Sequence, residues 1–138
     1  MAISTSTLTV TVTESLKLNG VTYGNTTTKT IGGCGEVIQK AVPILHTASK
    51  NLLTLDATGQ ANFEYFRVKN CDATNFLTLT FTGKVTGVKK VKILAGESYE
   101  TTCNEFWDYT ANDWDMLVRL DVQADSGTCD VEFLYVSK

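Results

Sequence analysis

The sequence has only one histidine, His46, and only one proline among its 138 residues. Histidine is the usual proton carrier of nucleophilic and acid–base sites, so its scarcity argues against most such catalysis. Neither the G-x-S-x-G turn of a strained serine nucleophile nor the G-x-x-x-x-G-K-[ST] phosphate loop occurs. We therefore expect a protein that is not an enzyme, in which His46 has a structural role near the end of a strand.

Positive charge and long apolar runs are also scarce. Lys and Arg number 12 against 15 Asp and Glu, which gives a formal net charge of −3. Nucleic-acid binding needs a clustered excess of basic side chains, and a bilayer span needs roughly 20 consecutive apolar residues. Basic residues are not in excess in this sequence, no such apolar run occurs, and its first residues lack the basic and apolar regions of a signal peptide. It predicts no nucleic-acid partner, no membrane partner and synthesis in a reducing cytoplasm.

Cysteines are few and widely spaced. The four cysteines are Cys34, Cys71, Cys103 and Cys129. Zinc ligands usually come in pairs separated by two to four residues, and no such pair occurs here. From the sequence alone, two disulfides in any of three pairings are open. A reducing cytoplasm favours buried free thiols instead. No metal and no cofactor is predicted.

Threonine is abundant and alternates with apolar residues. Leu8, Val10 and Val12 alternate with the threonines of residues 7–13, and residues 77–81 follow the same period of two. Because threonine is β-branched, it suits the half-exposed face of a pleated sheet. No stretch keeps a helical period. We expect an all-β fold, namely an antiparallel β-sandwich or jelly-roll of about nine short strands.

Two local signals in the sequence predict a turn and a bent or edge strand. Asn19-Gly20 lies between two short apolar segments and tolerates the positive φ angles of a type I′ turn, so it predicts a tight hairpin. Residues 36–49 contain Pro43, which cannot donate a hydrogen bond to a neighbouring strand. We therefore expect this segment to be a bent strand or an edge strand.

The chain is predicted to comprise an extended arm, residues 1–7, and a single β-sandwich domain, residues 8–138. The arm is rich in serine and threonine and precedes a clear strand. Two outcomes are open: the arm frays, or it adds a strand to a neighbouring chain through backbone hydrogen bonds. The candidate contact residues in the arm are Ile3, Thr5 and Thr7.

The most unusual segment, residues 104–115, gathers both tryptophans, one tyrosine and four carboxylates. Calcium binding, sugar binding and protein contact are functional interpretations. The structural interpretation is a long loop whose aromatics pack on the core while its carboxylates stay in water. No EF-hand pattern occurs, and the structural loop and protein contact are favoured. The candidate protein or glycan contact residues are Trp107, Asp108, Tyr109 and Trp114.

One basic cluster is visible. It consists of Lys84, Lys89, Lys90 and Lys92. Lysines on a strand discourage edge-to-edge pairing of sheets, so the usual explanation is a solvated face or a protected edge. The functional alternative is docking onto an acidic partner surface. Nucleic-acid binding is disfavoured, because no aromatic residues interleave these lysines.

Six short segments combine strand ends with turn residues. They are LKLNGV at 16–21, NTTTKTI at 25–31, GEV at 35–37, YFRVKN at 65–70, NFLTL at 75–79 and ILAGES at 93–98. Their order and content resemble small virion structural proteins of tailed bacteriophages. The resemblance is weaker in residues 101–115.

The resemblance implies a non-enzymatic β-sandwich that resides in the virion. Its expected role is that of a capsid decoration (cement) protein, which binds and stabilises the shell of the major capsid protein. A tail or fibre-adaptor protein is the alternative within the virion, and a carbohydrate-binding β-sandwich module is the alternative of a different class. The expected partner is the major capsid protein or another virion protein. Repetition around a capsid axis favours a homo-oligomer, with a trimer preferred.

Overall fold

The structure, a computed structural model, describes residues 6–138. In that range thirteen β-strands and one short helix form two compact units, which divide between Gly35 and Glu36. The all-β prediction is confirmed. No helix in the described range is long and apolar enough to span a membrane.

The first unit consists of two antiparallel strand pairs. Its strands are β1 (Ser6–Thr13), β2 (Leu16–Leu18), β3 (Val21–Tyr23) and β4 (Thr26–Cys34). β1 pairs with β4, and β2 pairs with β3. Asn19 and Gly20 have φ angles of 50° and 79°, both positive as a type I′ turn requires. The predicted hairpin is therefore confirmed. We call this unit the ribbon.

The β1–β4 pair carries a ladder of threonines on one face. Thr11 lies opposite Thr28 and Thr13 lies opposite Thr26, with hydroxyl oxygens 3.5 and 3.4 Å apart. Cross-strand pairs of this kind stabilise antiparallel strands by roughly 0.2–1 kcal/mol each. The alternation in the sequence therefore produces one hydroxyl-lined face on this pair.

The second unit, which we call the sandwich, has two main sheets. Its elements are β5 (Glu36–Leu45), β6 (Lys50–Thr54), α1 (Ala57–Asn62), β7 (Phe63–Asn70), β8 (Leu77–Gly83), β9 (Val88–Ile93), β10 (Ser98–Thr101), β11 (Glu105–Asp108), β12 (Asp113–Ala124) and β13 (Thr128–Ser137). One sheet has the order β10-β7-β13-β5. The other has the order β11-β12-β8-β9, with β6 also paired to β12. All of these pairs are antiparallel.

The hydrophobic core of the sandwich lies between its two sheets. In β8, Leu77, Leu79 and Phe81 are buried, while the intervening threonines are half-buried on the other face. Phe66 of β7 is fully buried, and its ring centroid lies 5.9 Å from that of Phe81 in the opposite sheet. Each such side chain contributes roughly 1.5–3 kcal/mol through burial of apolar surface.

Two edge strands agree with the sequence analysis. β5, which contains Pro43, lies at one edge of its sheet, as predicted for residues 36–49. β9 lies at an edge of the other sheet and carries Lys89, Lys90 and Lys92, all exposed. The lysines therefore lie where they hinder edge-to-edge association.

The predicted strand count is wrong, and the domain also contains one short helix. Asp56 is the N-cap of α1, and its carboxylate accepts the N–H of Gly59 at 2.7 Å. A helix of six residues is too short to show a helical period in the sequence. The strands outnumber the predicted nine partly because β11 and the start of β12 lie in the segment interpreted as a loop.

The observed units differ from the predicted division at residue 7. Ser6 and Thr7 belong to β1, and the first unit extends to Gly35. β1 and β4 pair only with each other, so they form a sheet of their own. The extended-arm prediction for residues 1–5 lies outside the described residues.

All four cysteines are free, which confirms the free-thiol prediction. Cys34 and Cys129 are buried, but Cys71 and Cys103 are exposed, so the expectation of burial is wrong for the second pair. Cys71 directly follows β7, and Cys103 lies in the connection between β10 and β11. Connections between strands run over the surface, which accounts for their exposure.

Tyr65 gives a prediction for alkaline pH. Its buried hydroxyl donates a hydrogen bond to Glu100 at 2.8 Å. Burial and this hydrogen bond raise the pKa of Tyr65 to about 12, from an ordinary value of 10.0. The stability contributed by the protonated hydroxyl is therefore complete below pH 10 and is lost as the pH rises towards 12. Chemical denaturation across this range should show falling stability, and Tyr65→Phe should reduce the slope.

The matched control is Tyr109→Phe, because the Tyr109 side chain is 88% exposed. This variant should keep the alkaline slope of the unmodified protein. A Tyr65→Phe variant whose stability falls as steeply as that of the unmodified protein would show that another group causes the loss.

Candidate functional site

The β11–β12 hairpin positions the aromatic residues that the sequence singles out. Residues 105–108 pair with residues 113–116, so that Trp107 lies directly opposite Trp114. Asn112 in the connecting turn has a φ of 53°, a conformation that asparagine tolerates better than most residues. The segment is therefore mostly strand, and its side chains alternate between two faces.

Three aromatic rings form an exposed cluster, which we call the aromatic corner. The Trp107 and Trp114 rings meet edge to face, with centroids 5.5 Å apart and an interplanar angle of 84°. The Tyr109 ring meets that of Trp107 at 6.5 Å and 79°. Trp107, Trp114 and Tyr109 are 37%, 61% and 88% exposed. Edge-to-face pairs are worth about 0.5–1.5 kcal/mol beyond area burial, so the rings hold one another in place.

Asp115 follows Trp114 but points to the opposite face, where it is buried. Its carboxylate accepts hydrogen bonds from three successive backbone N–H groups of the β8–β9 connection. The donors are Val85 at 3.1 Å, Thr86 at 3.1 Å and Gly87 at 2.7 Å. Successive N–H groups of this kind form an anion-binding nest. Asp115 thus ties the β11–β12 hairpin to the neighbouring connection.

Two glycines leave room for this carboxylate. A Cβ atom at Gly83 would overlap the Asp115 carboxylate. A Cβ atom at Gly87 would lie 2.8 Å from both Asp115 Oδ2 and the Phe106 ring. Neither glycine has a positive φ, so the requirement here is space and not backbone freedom.

Asp108 is also buried and binds the same connection. Its Oδ2 accepts the Thr86 hydroxyl at 2.7 Å, and its Oδ1 accepts the Thr110 N–H at 2.9 Å. The hydroxyl, followed by backbone N–H groups, lowers the pKa of Asp108. Burial alone would raise the pKa of Asp115, but its backbone donors together outweigh burial and lower it. Both side chains are therefore ionised at neutral pH.

This arrangement is the opposite of the structural interpretation, in which the aromatics pack on the core and the carboxylates stay in water. The tryptophans are exposed, and Asp108 and Asp115 are buried; of the aromatic residues in the segment, Phe106 is the one in the core. Strand alternation is the reason, because Phe106 and Asp108 share the inner face and Trp107 lies between them on the outer face. Among the described residues, no group of three or more His, Cys, Asp or Glu side chains is arranged to hold a metal ion.

A second candidate surface lies on the β2–β3 hairpin of the ribbon. Leu16 lies opposite Tyr23, and Leu18 lies opposite Val21, so that all four side chains share one face. They are exposed by 59%, 53%, 56% and 52%, in that order. The alternation around Asn-Gly reveals the shared face, but the sequence alone did not predict its exposure. We call it the apolar hairpin face.

The candidate contact residues thus fall in different places. Ile3 and Thr5 lie outside the described residues, and Thr7 is exposed in β1. The aromatic contact candidates of residues 107–114 come together in the aromatic corner, whereas Asp108 points to the inner face.

His46 directly follows β5 and contacts the turn between β12 and β13. Its Nδ1 lies 3.0 Å from the carbonyl oxygen of Gly127, and its backbone N–H donates to the same oxygen at 3.1 Å. Because a carbonyl oxygen only accepts, Nδ1 carries the proton in this contact. The geometry fits the predicted structural role near a strand end.

Comparison with protein-family models, with curated proteins and with solved structures found no match for this chain. The aromatic corner and the apolar hairpin face are therefore the features on which function is inferred.

Proposed function

We propose that the chain is a non-enzymatic structural protein of a phage virion, and specifically a decoration (cement) protein that binds and stabilises the shell of the major capsid protein. The apolar hairpin face is the observation that carries this proposal. Each of its four side chains leaves more than half of its surface exposed. Contiguous apolar surface of this kind marks interaction sites in soluble proteins.

The β2–β3 hairpin has only two strands, and its apolar face is exposed. A partner that buried this face would therefore stabilise the ribbon. Isolated two-stranded hairpins are marginally stable at best in water. The ribbon sequence is also poor in charge, since Glu14, Lys17 and Lys29 are the charged residues among residues 1–35. A surface of threonine and apolar side chains can be buried against another protein without leaving unpaired charges.

A capsid shell repeats the same docking site around its symmetry axes. One small hairpin face gives weak attachment for a single copy, but a closed homo-oligomer adds the contacts of its copies. A homo-oligomer, with a trimer preferred, therefore suits attachment to a shell.

A tail or fibre-adaptor protein would use the same face at a different place on the particle. The carbohydrate-binding module would use the aromatic corner, whose exposed rings favour it. Two observations oppose the module. The Asp108 oxygens already accept hydrogen bonds from within the protein, and the Trp107 and Trp114 rings are nearly perpendicular, which offers no flat platform wider than one ring.

Leu18→Glu should prevent attachment to particles of the phage that encodes the chain. It places a carboxylate on the apolar hairpin face, where docking would bury it without a partner at a cost of several kcal/mol. We expect bound protein to fall by at least about tenfold in co-sedimentation with particles that lack the protein. Thr22→Glu is the matched control, because it adds the same charge to the opposite face of the same hairpin. It should bind nearly as well as the unmodified protein.

Equal co-sedimentation of Leu18→Glu and the unmodified protein would reject the apolar hairpin face as the attachment surface. Mass spectrometry of purified particles tests the virion role itself, and absence of the chain from them would reject it. A low-resolution map of decorated particles distinguishes a head location from a tail location.

A further inference from the structure

The rings of the aromatic corner are steeply inclined to one another and do not form a flat plate. Trp107 is nearly perpendicular to both Trp114 and Tyr109, at 84° and 79°. The face of an aromatic ring carries partial negative charge, and two faces set at an angle can contact one cation together. This geometry suits an organic cation better than a flat sugar ring.

Formal negative charge is concentrated in the hairpin that carries these rings. Glu105 is exposed and lies on the same strand face as Trp107, two residues away. Asp113 is also exposed, and the ionised Asp108 and Asp115 are held on the inner face of the same hairpin. Residues 104–115 contain four carboxylates and no lysine or arginine. The potential at the aromatic corner therefore favours a positive ligand.

The ion pairs and cation–π contacts of the described residues lie away from the aromatic corner. The ion pairs among residues 6–138 join Arg119 to Asp121 and Lys138 to Glu64. The lysines that lie over aromatic rings in this range cover phenylalanines: Lys40 over Phe133, Lys89 over Phe81 and Lys92 over Phe76. No described lysine or arginine is placed over the aromatic corner.

The strands that carry the corner are also anchored. Trp107 and Trp114 are a direct cross-strand pair, and Asp108 and Asp115 anchor their strands to the β8–β9 connection. Binding therefore requires little ordering of the hairpin backbone, which reduces the entropic cost of association.

We propose that the aromatic corner is a binding site for an arginine side chain presented by a protein partner. The planar guanidinium stacks on aromatic faces, is always charged and is more weakly hydrated than an ammonium, so it loses less on leaving water. Glu105 supplies a carboxylate for the same group. This site lies in the sandwich and does not depend on the ribbon or on the virion role.

Tryptophan fluorescence reports on this site directly, because both tryptophans of the chain belong to it. The probe is a blocked pentapeptide of alternating glycine and arginine. The matched probe replaces arginine with citrulline, which has the same shape without the charge. We expect a saturable change in emission at millimolar arginine peptide, at least about tenfold weaker binding of the citrulline peptide, and weaker binding at high salt.

Two variants keep both tryptophans and test the other parts of the site. Tyr109→Ala should weaken binding of the arginine peptide by about threefold, because it removes one ring. Glu105→Gln should weaken it by about twofold at low salt. The matched control is Glu132→Gln on β13, where the residue is exposed and lies outside the corner. This control should bind like the unmodified protein.

Equal affinity for the arginine and citrulline peptides, or no saturable change with either, would overturn the proposal. Saturation by cellohexaose without saturation by the arginine peptide would also overturn it and would favour the carbohydrate module. Failure here leaves the co-sedimentation results of Leu18→Glu and Thr22→Glu unchanged, so the two proposals are tested separately.

Discussion

Asp115→Asn is expected to lower the free energy of unfolding of the sandwich by about 2–4 kcal/mol. The carboxylate accepts backbone N–H groups from Val85, Thr86 and Gly87 and from its own neighbour Met116. An amide offers one acceptor oxygen, and its NH₂ group would face some of these donors. Buried N–H groups would then lose their partners, and each loss costs about 1–3 kcal/mol. Urea denaturation followed by far-ultraviolet circular dichroism measures the difference.

Asp113→Asn is the matched control, because Asp113 is exposed in the same strand. It removes the same charge without exposing buried donors, so its effect should stay within about 0.5 kcal/mol. Similar decreases in the free energy of unfolding for Asp115→Asn and Asp113→Asn would show that the loss of charge, and not the loss of hydrogen bonds in the N–H nest, destabilises the protein.

The same carboxylate makes the protein sensitive to acid. Because the pKa of Asp115 is lowered from its ordinary value of 3.8, the stability it contributes is present above that value and is lost as the pH falls through the lower folded value. The gap in stability between the unmodified protein and Asp115→Asn should therefore narrow as the pH falls below 3.8. A gap that stays constant throughout this acid range would contradict the ionised state of Asp115.

Phe66→Ala is expected to lower the free energy of unfolding of the sandwich by about 3–5 kcal/mol. The Phe66 side chain is fully buried, and its ring contacts those of Phe63, Phe81 and Tyr99 at centroid distances of 5.9, 5.9 and 6.1 Å. Truncation removes apolar contacts with both sheets and leaves a cavity that a close-packed interior fills only in part. The midpoint of urea denaturation should fall without a change in slope.

Phe76→Ala is the matched control for this truncation. Phe76 is half-buried just before β8, and its ring centroid lies 4.0 Å from the Lys92 ammonium. Its loss should cost about 1 kcal/mol, because the solvent already covers part of the ring. Equal decreases in the free energy of unfolding for Phe66→Ala and Phe76→Ala would show that burying Phe66 between the sheets contributes no more than half-burying Phe76.

The sequence predicted the elements whose signals are local. Asn19-Gly20 tolerates positive φ angles at two successive positions, which the type I′ turn of a tight hairpin requires. Alternation in residues 77–81 likewise specifies which side chains of β8 are buried, since the period of a strand is two. Pro43 excludes a central strand because it lacks an N–H group.

The candidate site was harder to predict because it depends on pairing between strands. Carboxylates are usually exposed, so Asp108 and Asp115 were expected in water. Their burial requires the N–H groups of residues 85–87, which lie more than 20 positions away in the sequence. The sequence does contain one signal for this site. Trp107 and Trp114 stand on either side of a short polar turn, which indicates a hairpin with both tryptophans on one face.

The sequence does not reveal the ribbon as a separate unit, and the reason is different. Its strands have the same threonine alternation as those of the sandwich, and alternation alone does not tell which strands share a sheet. The boundary between Gly35 and Glu36 lies between two strands that are separated by a single residue, without a linker rich in proline or serine. The composition of the sequence therefore does not indicate this boundary.

The space that Gly83 and Gly87 leave for Asp115 constrains how this sequence can diverge. A larger residue at position 83 would displace the carboxylate, and loss of the carboxylate would remove the reason for keeping this glycine, whereas the Phe106 ring would still constrain Gly87. Related sequences should therefore change positions 83 and 115 together, or not at all. Such covariation would identify the β8–β9 connection and the β11–β12 hairpin as one inherited unit, even where the exposed aromatic rings have been replaced.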